Sequence, residues 1–155
     1  MRKLTAIIAG IICAAALTAC GTQNIASNGT DPAEIAAALN ESANFSEELT
    51  EVSADVLLRR YGLGSDTVEA AAGYAGTPAV VDEIAVFKTS DVESVSEAAN
   101  ARIESQITNY TSYAPDEVPK LNGATVKVIG DCVVVCVSND TQDEVIDILS
   151  TFAQD

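Results

Sequence analysis

Residues 125–137 read Thr-Val-Lys-Val-Ile-Gly-Asp-Cys-Val-Val-Val-Cys-Val, and this stretch decides the fold. Gly130-Asp131 separates two runs rich in β-branched residues, which is typical of a two-residue β-hairpin. The second run, residues 132–137, is apolar at every position, which indicates an interior strand that is covered on both sides. The sequence therefore predicts an antiparallel sheet with this strand inside it.

On both sides of the hairpin, helical and strand-like periodicities alternate along the chain. The order ααββαββα is typical of the α+β class, with a four-stranded, mainly antiparallel sheet and helices packed mainly on one face. The other face carries small and mixed side chains, so either the N-terminal helices cover it or it contacts a partner.

The patterns predict helices from Asp31 and over about 46–61, strands over 67–74 and 82–88, a long helix from Ser90 or Asp91 to about Tyr113, an irregular stretch between Pro115 and Pro119, and a last helix capped by Asp140 or Thr141.

The first twenty residues have the organisation of a bacterial lipoprotein export signal. Arg2 and Lys3 precede an uncharged, mostly apolar run over residues 4–19, which is shorter than the roughly 20 apolar residues of a membrane span. Residues 17–21 read Leu-Thr-Ala-Cys-Gly. This resembles the lipobox, in which the cysteine, here Cys20, receives a diacylglyceryl group and becomes the new N-terminus.

These patterns predict the organisation of the whole chain. We expect residues 1–19 to be a signal peptide, residues 20–30 to be the lipidated Cys20 with a polar tether, and residues 31–155 to be a single α+β domain. The membrane would then be a partner through the lipid anchor, with the domain at the outer face of the cell membrane. The alternative is ordinary cleavage near residues 14–16, which would release a soluble protein.

The chain is strongly acidic, with 8 bases, 23 acids and a net charge of −15. Arg2 and Lys3 lie in the predicted signal, and no acid precedes Asp31, so the mature chain would have six bases against 23 acids and a net charge of −17. Such a charge repels nucleic-acid phosphates and anionic lipid head groups. We therefore expect no nucleic-acid partner.

Catalytic chemistry has little support in the sequence. Histidine is absent, which removes the commonest general base and metal ligand. Cys132 and Cys136 lie about 13 Å apart on a strand, too far for a disulfide. We expect them to be buried thiols, and we expect no metal and no cofactor. Adjacent acids at 47–48, 82–83, 116–117 and 143–144 are expected to be solvated, and neighbours on a strand point to opposite faces.

Three of the six basic side chains of the mature chain are the first candidates for contact with an anionic ligand. They are Lys88, Arg102 and Lys120, and Lys88 would bind the ligand beside Tyr74 or Tyr113. Each base also has a structural interpretation, in which its stem packs on the core while its charge pairs with an acid or meets water.

Several segments resemble a family of small Gram-positive (Bacillota) lipoproteins known as domain of unknown function 4358. The resemblance covers roughly Pro32 to the C-terminus and implies export and lipidation, but no activity. Where that family often has a tyrosine after the hairpin turn, this chain has Cys132, so no role for a tyrosine there carries over. The segments are Glu-Ile-Ala-Val-Phe-Lys at 83–88, Arg102 in the long helix, Tyr-Ala-Pro-Asp-Glu-Val-Pro-Lys-Leu at 113–121, Gly-Asp at 130–131 and Val-Ser-Asn-Asp at 137–140.

Together these patterns favour a membrane-anchored extracytoplasmic lipoprotein that acts as a non-catalytic binding or interaction module. Its partner would be an unidentified cell-surface protein or a small ligand. The alternative is a cell-envelope hydrolase that uses two carboxylates from distant segments, which would have to lie about 5–10 Å apart in a cleft.

Overall fold

The hairpin forms where the sequence predicts it. In the computed structural model, which describes residues 30–153, strands β4 (Thr125–Ile129) and β5 (Cys132–Val137) flank a turn at Gly130, where a positive φ of 57° suits a residue without a side chain. All six residues of β5 are buried. The strand pairs with β3 (Glu83–Lys88) on its other side, so the expected interior strand is confirmed.

The sheet has five strands, all antiparallel, in the order β1-β2-β3-β5-β4. The mixed helix and sheet class is therefore as predicted, whereas the number of strands is not. The remaining strands are β1 (Thr50–Glu51) and β2 (Ala70–Ala75); the helices are α1 (Pro32–Ser42), α2 (Ala54–Tyr61), α3 (Val92–Tyr113), α4 (Val118–Asn122) and α5 (Gln142–Leu149), with 3-10 turns at Pro115–Glu117 and Ser150–Phe152.

The fifth strand, β1, lies where the sequence predicts the first part of a helix. The N–H of Val52 donates to the carbonyl of Gly73 at 2.9 Å, and α2 begins only at Ala54. Leu49 and Val52 are three residues apart, a spacing that places them on one face of a helix but on opposite sides of a strand. Leu49 packs in the core beside α1, and Val52 packs in the core beside α2. Burial on two sides of the sheet therefore overrides the helical pattern.

Helices cover both faces of the sheet, which corrects the expectation of cover mainly on one face. Because β3 is apolar on both sides, each face needs its own layer: Ile84 and Val86 face one layer, and Ala85 and Phe87 face the other. The mixed face is covered by helices, as one of the two alternatives had it, but of the N-terminal helices within residues 30–153 only α2 takes part, together with the long helix α3. The first layer is formed by α1 and α5, and the second by α2 and α3.

The chain enters the domain at the hairpin end of the sheet. The thiol of Cys132 lies 3.4 Å from the carbonyl oxygen of Thr30, the first described residue. Cys132 and Cys136 are free and buried, as expected. Desolvation raises the pKa of each thiol to about 12. Both thiols therefore stay protonated at neutral pH.

Two further features concern the relation of the chain to a membrane. The predicted signal peptide and Cys20 lie outside the described residues. Within residues 30–153, no helix combines the length and the apolar character that crossing a bilayer requires.

Gly73 is required where β2 passes closest to β3. A methyl group on Gly73 would overlap the carbonyl oxygen of Ile84 and lie 3.2 Å from the Cα of Ala85. Because backbone atoms of a paired strand cannot move aside cheaply, we expect Gly73→Ala to lower the free energy of unfolding by about 1–3 kcal/mol. The matched control is Gly123→Ala, where the nearest atoms lie at 3.6 Å. Urea unfolding followed by circular dichroism would contradict this account if both variants had the same midpoint.

Candidate functional site

Two neighbouring carboxylates, Asp82 and Glu83, are buried where β3 begins. Their exposed fractions are only 2% and 5%, so the expectation that this pair is solvated was wrong. A buried carboxylate is costly unless cations and hydrogen-bond donors surround it. Each of the two has such a set of partners, supplied by segments that are distant in the sequence.

Glu83 is held by two arginines. Arg102 on α3 donates from Nη2 to Oε2 at 2.7 Å and from Nε to Oε1 at 3.3 Å, the two-pronged contact that suits a guanidinium and a carboxylate. Arg60, in the last turn of α2, approaches Oε2 with its Nη1 at 3.8 Å. Arg102 also lies over the ring of Tyr61, 4.9 Å from its centre. Glu83 thus joins α2 and α3 to the start of β3.

Arg102 and Tyr61 keep their ordinary protonation states at neutral pH. Burial lowers the pKa of Arg102, but the hydrogen bonds and charge of Glu83 outweigh burial, so the pKa is raised overall. Burial raises the pKa of Tyr61 well above its ordinary value, and the charge of Glu83 adds to this effect. Tyr61 is therefore a neutral phenol, packed edge-to-face on Phe87 with 4.8 Å between the ring centres.

Asp82 is held by a separate set of partners around Lys120 on α4. The ammonium of Lys120 donates to Asp82 Oδ1 at 3.2 Å, to Glu117 Oε2 at 2.9 Å and to Ser46 Oγ at 2.6 Å. The N–H of Ser46 donates to the other oxygen of Asp82 at 2.9 Å. Glu117 also accepts from the N–H of Val81 at 3.0 Å. One lysine therefore links the loop after α1, the start of β3 and helix α4.

The second cluster also shifts the pKa values of Glu117 and Lys120. Burial raises the pKa of Glu117, but the hydrogen bonds from Lys120 and Val81 outweigh burial and bring the pKa below its ordinary 4.5. Burial lowers the pKa of Lys120, but Glu117 and Asp82 outweigh burial and raise the pKa above its ordinary 10.5. The ion pair between Lys120 and Glu117 therefore persists across the neutral range.

An open cleft of about 280 Å³ lies at this end of the sheet, between α2, α3 and the loop over residues 76–81. The hydroxyl of Tyr110 lies 3.1 Å from the carbonyl oxygen of Pro78 and 3.2 Å from that of Val80. This contact holds the loop against α3. The polar side chains in the lining are those of Arg60, Thr77, Asp82, Glu83, Arg102, Gln106 and Tyr110.

The structure brings together only part of the set of residues predicted to contact a ligand. Arg102 and Lys120 lie at the same end of the sheet, bound to neighbouring carboxylates, and only Arg102 lines the cleft. Lys88 lies at the other end of β3, where it pairs with Asp131 at 3.1 Å. Tyr113 is 70% exposed at the end of α3, and its ring packs on Tyr110 with 5.9 Å between centres.

Sequence reasoning missed Arg60, Gln106 and Tyr110 as lining residues. Arg60 is a base in the last turn of a helix, where cations are common because they complement the helix dipole. Gln106 and Tyr110 lie about one turn apart on the long helix α3, which has both polar and apolar residues along its whole length. No local signal in the sequence distinguishes them. Among residues 30–153, no group of three acidic or cysteine side chains is arranged to hold a metal ion.

Removal of Lys120 should destabilise the fold because it leaves Asp82 buried without its cation. We expect Lys120→Met to lower the free energy of unfolding at pH 7 by about 3–5 kcal/mol. The matched control is Lys127→Met, which removes an exposed lysine from β4 and should change stability by less than about 0.5 kcal/mol. Equal losses in the two variants, measured by urea unfolding, would contradict this role of Lys120.

The effect of Lys120→Met should also depend on pH. Because the folded pKa of Glu117 is depressed, its stabilisation is present above its ordinary pKa of 4.5 and is lost as pH falls through the folded pKa. Lys120→Met lacks this contribution, and it leaves the carboxylates of Asp82 and Glu117 side by side without their shared cation. The stability difference between wild type and variant should therefore shrink as pH falls below about 4.5. Unfolding curves over pH 3–7 would contradict the assignment if that difference stayed constant.

The comparisons with known proteins identify a family but no activity. The model of the family described as Domain of unknown function (DUF4358) matches residues 41–138, which is more than half of the chain. The match begins near the end of α1 and stops just after β5, so it is shorter at both ends than the resemblance over Pro32 to the C-terminus. It includes all five strands, both carboxylate clusters and the cleft. No curated protein and no solved structure is significantly similar to the chain. On this match, the chain belongs to the Domain of unknown function (DUF4358) family.

Proposed function

We propose that the chain is a lipid-anchored lipoprotein of a Gram-positive cell, and that its extracytoplasmic domain is a non-catalytic binding module whose ligand site is the cleft. Lipidation is supported by Leu-Thr-Ala-Cys-Gly at residues 17–21. The observation that supports the cleft as the ligand site is that Thr30, which leads to the proposed anchor, and the cleft lie at opposite ends of the same sheet. A domain tethered by one end presents the other end to the surroundings.

The two ends are defined by the pairing of β3 with β5. Lys88 pairs with Cys132 at the hairpin end, where Thr30 enters the domain. Glu83 pairs with Val137 at the cleft end. Five residue steps along a strand cover about 16 Å. The length of the central strands therefore separates the entry of the tether from the ligand site.

Chain length and charge support the same arrangement. Ten residues span at most about 36 Å when fully extended, so Thr30 would lie within that distance of an acylated Cys20. A net charge of −17 on the mature chain repels anionic head groups. The domain would thus be held close to the bilayer without lying flat on it.

The non-catalytic part of the proposal is supported by the partners of the two buried carboxylates. Glu83 is bound by Arg102 and Asp82 is bound by Lys120, so each buried carboxylate is already paired with a partly buried cation. A general acid or base has to exchange its proton with a substrate, which these ion pairs oppose. Hydrolytic turnover of cell-wall material by the purified protein would refute this part and favour the two-carboxylate alternative.

Lipidation is tested at Cys20. We expect mass spectrometry of the mature protein from a Gram-positive host to find an N-terminal peptide that begins at Cys20 with a diacylglyceryl group on sulfur. The variant Cys20→Ser should lose the lipid and appear in the culture medium rather than in the membrane fraction. An unmodified thiol at Cys20, or a mature N-terminus elsewhere, would overturn the anchor.

The orientation is tested separately with fluorophores on introduced cysteines. Ala79 lies on the loop beside the cleft and Glu69 lies at the hairpin end of β2, and both are exposed. We expect a head-group quencher in vesicles to quench a label at Glu69→Cys more strongly than one at Ala79→Cys. The buried thiols, with pKa values of about 12, should not take up the label at pH 7. Stronger quenching at residue 79 would reverse the proposed orientation.

A further inference from the structure

We propose that the cleft binds a carboxylate group through the guanidinium of Arg60. The inference rests on the proposed function, because that proposal makes the cleft the ligand site, and it adds the chemical class of the ligand. Nothing in the family description assigns this residue or any ligand.

The first argument is that Arg102 is hydrogen-bonded to Glu83 through two of its nitrogens, while the guanidinium of Arg60 makes no hydrogen bond within residues 30–153. Arg102 donates twice to Glu83, and its Nη1 lies 3.4 Å from the backbone carbonyl of Arg60. Arg60 approaches Glu83 only to 3.8 Å, which is longer than a hydrogen bond. Among residues 30–153, its guanidinium has no hydrogen-bond acceptor, and its side chain is 37% exposed in the lining of the cleft. It therefore presents unused donors to a ligand.

The second argument is charge. Two guanidiniums, those of Arg60 and Arg102, share the single negative charge of Glu83, so this cluster taken by itself carries one excess positive charge. The neighbouring cluster carries one excess negative charge, because Asp82 and Glu117 share Lys120. The side chain of Asp82 is fully buried against Lys120, whereas that of Arg60 is 37% exposed, so the most exposed charge in the lining of the cleft is the guanidinium of Arg60.

The third argument separates a carboxylate from other anions. A guanidinium has a planar fork of donors that matches both carboxylates and phosphates. The mature chain, however, carries a net charge of −17, which repels multiply charged anions at long range. A single partly exposed guanidinium also cannot neutralise a dianion. A monocarboxylate on an uncharged body fits both constraints.

The rest of the lining suits the body of such a ligand. Pro78 and Val80 provide apolar contact on one side, while Thr77 and Gln106 add a hydroxyl and an amide. At about 280 Å³ the cleft accommodates a small molecule or the end of a chain. A free N-acyl amino acid and the C-terminus of a peptide offer the same group, so the experiment has to distinguish these two sources.

The experiment uses the mature full-length protein in detergent micelles, labelled with ¹⁵N-arginine. Residues 30–153 contain three arginines, Arg59, Arg60 and Arg102, so each side-chain Nε–Hε signal can be assigned. Titration with N-acetylalanine should shift the Arg60 signal progressively, with a Kd on the order of 1 mM. Arg59, which is exposed and outside the cleft lining, should not shift. The neutral N-acetylalaninamide should leave the Arg60 signal unchanged.

Further arms identify the source and the class of the ligand. If N-acetyl-trialanine binds at least tenfold more tightly than N-acetylalanine, the source of the carboxylate is the C-terminus of a peptide. If it binds equally tightly or more weakly, the source is a small acid. Inorganic phosphate that shifts Arg60 as strongly as N-acetylalanine would overturn the carboxylate class. Absence of any shift at Arg60 with either carboxylate would overturn the site itself.

Matched variants complete the test. Arg60→Gln should weaken binding of N-acetylalanine by about tenfold or more, whereas Arg59→Gln, its exposed neighbour, should bind as the wild type does. If Arg60→Gln unfolds, the wild-type titration still decides the question. Neither readout depends on Cys20 or on vesicles, so failure of this inference is distinguishable from failure of the anchor or of the orientation.

Discussion

The ladder between β3 and β5 is the constraint on which the rest of the structure depends. Both strands are central and apolar on both sides, so neither can be stable unless helices cover both faces of the sheet. The register aligns Ala85 with Val135 and Val86 with Val134, which places each small or branched side chain opposite another across the pair. The two helical layers and the outer strands follow from this requirement.

The same ladder explains why charges are buried at one of its ends. Because β3 is buried on both sides, its first residue Glu83 and the preceding Asp82 are also buried. Each of these carboxylates then needs a cation from another segment. Arg102 and Lys120 serve this need, so two of the few bases of an acidic chain have a structural role. Ion pairs of this kind contribute little net stability, but breaking one is costly because it leaves a buried charge alone.

The two ends of the sheet differ in a way that bears on the proposed function. At the hairpin end the chain enters beside a buried thiol, and the ion pair of Lys88 with Asp131 is a simple surface contact. At the other end, loops, helix ends and paired charges leave an open cleft with an arginine that is only partly used. With the proposed tether at the hairpin end, the charged cleft at the other end would face away from the membrane.

Features that depend on neighbours along the chain follow from the amino-acid sequence alone. These are the hairpin at Gly130, the interior strand, the cap at Asp31, the long helix, the last helix and the family. For the two later helices the sequence left the cap between Ser90 and Asp91 and between Asp140 and Thr141, and the structure shows Asp91 and Thr141. Caps, turns and periodicities are local interactions, so they can be identified without knowledge of the fold.

The fifth strand, the second helical layer and the site arise only when distant segments of the chain pack together. β1 exists because its backbone pairs with β2, although its side chains have helical spacing. Asp82 and Glu83 resemble any exposed acidic pair until Arg102 and Lys120, some 20 and 40 residues away, approach them. The cleft and the unused donors of Arg60 likewise arise where α2, α3 and a loop meet. Their physical cause is the burial of charge between distant segments, which no local pattern in the sequence records.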